Sequence, residues 1–383
     1  MNKIYDIFII GGGINGAGIA RDAAGRGISV CLVDKGEIGS ATSSWSSKLI
    51  HGGLRYLENY QFRLVRESLK EREIINTIAS SITKTIPFII PYSKKNRKQL
   101  LIRLGLFIYD RLGGKTLIPK SSKVFADEKF PNILKPKFSV GFQYYDIQVD
   151  DKKLTKLNTE DAIKKGAKII EYKEVISAKR NFNNWEIVLK DKSVIFSKIL
   201  INATGPWVNV VNNDVIKIKP PKNIKLIKGS HLIVNKIYNK NIAFTLQNED
   251  NRIVFVIPYK NQYSLIGTTE VEVASPDNPQ ISNEEVNYLI STINKYFVNQ
   301  IVKSDIVYTY SGIRPLIEES KEVSKITRDY FFDLNTIDSQ LPLLNIYGGK
   351  LTTYRKLSEK VIKILEPYLS IKNTKKWTGN KIL

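Results

Sequence analysis

The sequence predicts an α/β fold in which a mainly parallel sheet, assembled from separated stretches of chain, is interrupted by an antiparallel sheet. Three observations carry that expectation. A short apolar strand, Asp6–Ile10, runs into Gly11-Gly12-Gly13-Ile14-Asn15-Gly16; a helical run follows, and a second strand, Ser29–Val33, ends on Asp34. A further apolar strand closes on small residues over Lys198–Gly205, and Gly348-Gly349 opens a late helix carrying Leu357, Val361, Ile362 and Leu365. Between these, from Leu226 to Glu270, short segments alternate or run apolar at strand length.

The first unit has the order of a dinucleotide-binding βαβ motif. Gly11 allows the tight turn, Gly13 lets the backbone approach a pyrophosphate, and Gly16 lets helix and strand pack closely. The N–H groups at the helix start favour phosphate charge. Asp34 stands where a carboxylate accepts hydrogen bonds from adenosine ribose hydroxyls and repels a 2′-phosphate, which leaves NAD and FAD. The later segments favour FAD. Ala203 and Gly205 end a strand where backbone can lie against a cofactor. A helix start at Gly349 can stabilise the charge that builds up at a flavin's N1/C2 edge on reduction, charge that a nicotinamide ring does not gain.

After Asp151 the pattern reads helix, strand, hairpin and strand, returning to the cofactor portion by Gly205. Strands are then expected at Leu226–Val234, Ile242–Gln247, Arg252–Pro258 and Tyr263–Gly267, with Lys260-Asn261-Gln262 as a hairpin turn. A helix over Asn283–Phe297 places Val286, Leu289, Ile290, Ile293 and Phe297 on one face. The chain returns through Tyr308–Pro315. The expected organisation is a Rossmann-like FAD-binding domain in discontinuous segments (1–92, 151–215 and 335–383) with an inserted antiparallel-sheet substrate domain (93–150 and 216–334).

Composition narrows the class. A chain of 383 residues with 42% apolar content buries a sizeable core and is not disordered. One cysteine, Cys31, excludes a disulfide framework, and with only two histidines no metal site is expected. The cofactor strand begins almost at Met1, which leaves no room for a signal peptide, and no run approaches the ~20 apolar residues of a spanning helix. The expected location is the cytoplasm, or the cytoplasmic face of the cell membrane. The net charge of +22 fits a lysine-rich composition first and an anionic membrane surface second. Nucleic acid is not expected as a partner, because no nucleic-acid motif accompanies the charge. Residues 94–112 read as a basic amphipathic helix. Leu100–Leu112 supplies its apolar side, and Lys94, Lys95, Arg97, Lys98 and Arg103 are suited to lipid headgroups. Such a stripe more often packs into a protein core.

Five segments carry a closer likeness. Ser46-Ser47-Lys48-Leu49-Ile50-His51-Gly52-Gly53-Leu54-Arg55-Tyr56-Leu57, Asn202-Ala203-Thr204-Gly205-Pro206-Trp207, Leu226-Ile227-Lys228-Gly229-Ser230-His231, Ser311-Gly312-Ile313-Arg314-Pro315 and Gly348–Arg355 stand in that order. From Ile4 to about Tyr368 the chain resembles the aerobic, flavin-dependent glycerol-3-phosphate dehydrogenases of bacteria. The resemblance implies oxidation of sn-glycerol 3-phosphate to dihydroxyacetone phosphate, with electrons passing from FAD to a membrane quinone. An oxidase of the same substrate using oxygen, an amino-acid oxidase and a non-catalytic flavin-binding remnant are the rival readings. The oligomeric state stays open, a homodimer included. The chain ends at Leu383, where members of that family usually continue into a helical C-terminal domain, and Trp45 stands where they commonly carry a charged residue.

Hydride transfer from a secondary alcohol needs a base for the hydroxyl proton and cationic donors where the carbonyl forms. His231 is the first choice of base and His51 the second, since a neutral imidazole accepts a proton at pH 7; either also suits a hydrogen-bonded core. By resemblance Arg55, Arg314 and Lys350 line the substrate pocket, Arg314 and Lys350 polarising the C2 oxygen and Arg55 holding the phosphate bidentately. Arg328 is a further phosphate candidate, and Thr268 a substrate contact. The resemblance also implies cofactor contacts at Gly11, Gly13, Ile14, Asn15, Gly16, Asp34, Lys35, Thr42, Ser43, Lys48, Leu49, Val175, Ala203, Gly205, Gly349, Leu351 and Thr352.

Overall fold

The computed structural model describes residues 3–93, 99–318, 329–337, 340–371 and 373–383, and places them in two sheets covered by helices. The first sheet grows from Ile4–Ile10. Both neighbours run parallel to it: Val30–Val33, with Ile10 opposite Val33, and Val194–Asn202, with Ile10 opposite Asn202. Lys168–Ile170 adds beyond the former and Gln340–Gly348 beyond the latter, and Tyr330–Ile337 pairs antiparallel at the far edge. The hairpin Val175–Arg180 and Trp185–Leu189 branches from Val194–Ser197. Strands buried on both faces read as unbroken apolar runs, as Ile7-Phe8-Ile9-Ile10 and Val30-Cys31-Leu32-Val33 do. Neighbours on both sides of one central strand create a switch point at its carboxyl end. The crevice there is bounded by Gly11, Asp34 and Ala203, the place where open α/β sheets take nucleotides.

The second sheet is built on Ile224–Asn235, which pairs antiparallel with Ile306–Ile317 along nearly its whole length. Tyr263–Gly267, Ile253–Tyr259 and Ala243–Gln247 follow on its other side. Lys260 and Asn261 form the hairpin turn with φ of 44° and 61°. Two expectations are corrected. The sheet is not wholly antiparallel, because Ala243–Gln247 meets Thr83–Tyr92 in parallel, Phe244 opposite Ile89. Thr83–Tyr92 and Leu49–Ile50 also lie in this second sheet, although both fall within the first 92 residues assigned to the cofactor portion. A local apolar run marks a buried stretch but does not name its partner, and these strands pair with Val140–Val149.

The helix Gln99–Leu112 forms as expected and carries two apolar faces. Ile102, Leu106 and Tyr109 are buried, while Leu100, Leu101, Leu104 and Phe107 are exposed. Lys94, Lys95, Arg97 and Lys98 lie outside the described residues. The helix Asn283–Tyr296 opens on a capping box between Ser282 and Glu285 and buries Val286, Leu289 and Ile293. Among the described residues no helix is long and apolar enough to cross a membrane.

Candidate active site

The first strand ends at Gly11, whose φ is 105° and where a Cβ would stand 2.7 Å from the Ala203 carbonyl oxygen. At Gly16 a Cβ would overlap the Gly11 carbonyl oxygen. Only glycine satisfies both positions. The helix Ile14–Gly25 follows, and its Ile14 N–H donates to Ser43 Oγ at 2.9 Å. Asn15 Nδ2 donates to the Gly348 carbonyl, and its buried Oδ1 has no hydrogen-bond partner among the described residues. Asp34 accepts from the Gly12 and Gly36 amides at 2.6 and 2.8 Å, and burial raises its pKa. Each carboxylate oxygen keeps a lone pair for a ribose hydroxyl. Glycine turn, helix start, unpartnered amide oxygen and terminal acid together fit a dinucleotide.

A cavity of about 680 Å³ starts at this cradle. Ile14, Thr42, Ser43, Leu49, Gly349, Leu351 and Thr352 line it from the cofactor side. His51, Arg55, Thr268, Arg314 and Lys350 line the same space. The structure therefore brings together side chains that the sequence separates by up to 299 positions (350 − 51). Arg314 Nη2 donates to Thr268 Oγ1 at 3.2 Å. Lys350 Nζ donates to Ser68 Oγ at 3.2 Å and lies 4.6 Å from the Tyr56 ring centre. Arg55 stands 3.8 Å from Glu270, another lining residue. Leu101 and Leu104 also line the cavity while more than half exposed, so it opens to the surface at the helix Gln99–Leu112.

The two histidines differ in depth. His51 borders the cavity, and its backbone is clamped to the Gly349 turn, because its N–H donates to Thr352 Oγ1 at 3.2 Å. His231 is 1% exposed and is not a lining residue. Its Nε2 lies 2.9 Å from Ser47 Oγ, and its ring stacks on Tyr310 at 4.7 Å. Burial first, then the positive charges of Arg314 and Lys48, holds its pKa well below the usual histidine value. The polar group that His231, the first choice of base, meets on the cavity side is Ser47.

Five other expected cofactor residues do not line the cavity. Lys48 Nζ pairs with Asp151 at 2.7 Å and donates to the Ser44 carbonyl, so its charge is held away from the cavity. Val175 is buried in an apolar cluster with Tyr5, Phe8 and Val33, and Lys35 Nζ lies 4.8 Å from the Trp207 ring centre. Ala203 faces Gly11, and Gly205 turns the chain with φ of 58°. Arg328 lies outside the described residues. Trp45 lines the cavity and packs on Tyr310 at 5.3 Å. The residue reading did not single out Ser47, Tyr144, Thr245, Gln247 or Glu270, all lining residues. Ser47 sits inside a quoted motif, a usable signal. Tyr144 and Thr245, whose hydroxyls meet at 2.8 Å, come from strands in which only alternation is visible.

The fold and this cradle define a class. Residues 6–355 match the FAD dependent oxidoreductase family, and the chain belongs to it. Its FAD chemistry is therefore that of a flavin oxidoreductase. Within the family the chain is 45% identical over 370 residues to the aerobic glycerol-3-phosphate dehydrogenase of Escherichia coli (strain K12), covering 95% of this chain and 74% of that protein. It is 42% identical to a D-erythritol 1-phosphate dehydrogenase of Brucella abortus, over 93% and 72% of the two chains. The crystal structure of a glycerol-3-phosphate dehydrogenase from Bacillus halodurans with FAD superposes with a TM-score of 0.75 at 29% identity, over 98% and 67%.

Proposed function

We propose that this protein oxidises sn-glycerol 3-phosphate to dihydroxyacetone phosphate with FAD and passes the electrons to a quinone at the cytoplasmic membrane face. The carrying observation is the meeting of Arg55, Arg314 and Lys350, from three distant stretches, in one cavity that begins at the dinucleotide cradle. FAD, held by the Gly11–Gly16 turn, Asp34 and the Gly349–Thr352 segment, supplies hydride acceptance. Arg314 and Lys350 stabilise the negative charge that develops on the C2 oxygen, and the guanidinium of Arg55 matches phosphate oxygens. Glu270, 3.8 Å from Arg55, is the anion whose place a dianionic phosphate would take.

Apolar lining supports the acceptor. Leu54, Leu57, Phe62, Leu101, Ile102 and Leu104 form the part of the cavity that opens at the helix Gln99–Leu112, a surface suited to a hydrophobic electron carrier. The same helix supports peripheral attachment, because its exposed Leu100, Leu101, Leu104 and Phe107 lie beside exposed Arg103 and Arg111. The test is anaerobic addition of glycerol 3-phosphate to the FAD-loaded protein. Bleaching of the oxidised flavin band by glycerol 3-phosphate, and not by glycerol, is expected. A band that persists overturns the substrate; peroxide formed in air in preference to quinone reduction overturns the acceptor.

A further inference from the structure

We propose that Ser47 receives the substrate's C2 hydroxyl proton and hands its own proton to Nε2 of His231. This relay rests on the alcohol-oxidising function proposed above. Its geometry is a hydroxyl on the cavity surface with an imidazole directly behind it: Ser47 lines the cavity, His231 does not, and 2.9 Å separates Oγ from Nε2. A serine hydroxyl can accept one proton while donating another, so it can connect a substrate to a base that substrate cannot touch. The pair repeats the hydroxyl–imidazole half of a nucleophile–base arrangement, used here to move a proton.

The surroundings keep the imidazole neutral and fixed. Tyr310 stacks on one side of the ring, and Gly267, on the adjacent strand, leaves no room for a side chain there. Arg314 from the strand Ile306–Ile317 and Lys48 from the Ser46–Lys48 loop are the charged groups that act on it, with Asp151 paired to Lys48. No carboxylate contacts Nδ1, which has no hydrogen-bond partner among the described residues. A resting imidazolium is thus disfavoured: the ring is neutral at rest, and the same burial and positive charges make it a weak base that holds the relayed proton only transiently.

The step balances. The substrate O–H bond breaks as a new O–H forms on Ser47; the original Ser47 O–H breaks as N–H forms at His231 Nε2. FAD, when bound, would accept the C2 hydrogen with its electron pair as hydride, which leaves the C2–O bond as a carbonyl. The relay requires the histidine tautomer with hydrogen on Nδ1, so that Nε2 offers a lone pair to Ser47.

Two measurements test it. The chain has only two histidines, so nitrogen NMR of the FAD-bound protein resolves both rings. The Nδ1–H tautomer is expected for His231, with an Nε2 shift altered by Ser47→Ala; the Nε2–H tautomer overturns the relay. In anaerobic stopped-flow, Ser47→Ala and His231→Asn should each slow flavin reduction on the order of 10²–10⁴-fold at saturating substrate. The double variant should be no slower than the slower single, and Ser47→Thr should recover most of the rate. Native-rate reduction by Ser47→Ala, or multiplicative losses in the double variant, overturns the relay. If glycerol 3-phosphate fails to reduce even the wild-type flavin, the substrate assignment fails instead, and the tautomer still decides the relay.

Discussion

Lys48 shows how one residue can belong to a functional motif and yet serve the structure. Its ammonium pairs with Asp151, which is fully buried, and Asp151 also accepts from Ser46 Oγ at 2.7 Å. That carboxylate therefore holds the loop that presents Ser47 to the cavity. Removing one partner of a buried pair leaves the other uncompensated, which destabilises by about 3–5 kcal/mol. Asp151→Ala should lower the urea midpoint accordingly, and Lys48→Met combined with Asp151→Leu should regain part of the loss. A midpoint unchanged in Asp151→Ala would show that the pair does not hold the loop. The sequence makes residue types legible here but not their assignments. His231 and Lys48 are recognisable as candidates within motifs, and burial alone decides that one lies behind a serine and the other on an aspartate. Burial is set by other elements, Tyr263–Gly267 and Ile306–Ile317 around His231 and the helix start at Asp151 beside Lys48, and local pattern carries no record of it.

At the scale of elements the cofactor half was the more legible. Its glycine turn, first helix and acid-terminated strand lie within 30 residues, so period and turn chemistry suffice. The sheet that Thr83–Tyr92 joins is not legible locally, because its partners are distant. The helix Gln99–Leu112 was legible as amphipathic, but its two apolar faces were not separable by period. Its outward face leads to a prediction. Leu100 and Phe107 are 73% and 54% exposed and do not line the cavity, and Arg111 stacks on the Phe107 ring. Burying one such side chain in a lipid interface contributes about 1.5–3 kcal/mol. Leu100→Asp with Phe107→Asp should therefore weaken sedimentation with phosphatidylglycerol vesicles at least about tenfold. Flavin reduction by glycerol 3-phosphate in solution should be retained. Vesicle binding equal to wild type would remove this face from the attachment surface.

For the whole molecule, the inserted sheet delivers a histidine, an arginine and a lysine-bearing loop to the edge of a nucleotide crevice, and the neutral state of His231 is a consequence of that packing. The proximity of Arg314 and Lys48 makes protonation doubly unfavourable, after burial itself. The folded pKa is depressed below the unfolded value of about 6.5, so below that pH the unfolded chain binds the extra proton first. Stability from this group is thus complete above about pH 6.5 and declines as pH falls toward the folded pKa, by up to about 1.4 kcal/mol per pH unit. Asp34 and Asp146 have pKa values raised by burial and act in the opposite sense, favouring the folded state as their own protonation begins. Their contribution is shared by wild type and His231→Asn, and so is that of His51. The difference in unfolding free energy between the two proteins, measured by urea titration between about pH 7.5 and 5.5, should shift toward the variant by about 1 kcal/mol as the pH falls. A pH-independent difference would mean that His231 titrates normally when folded, and that the cavity wall admits water to the imidazole.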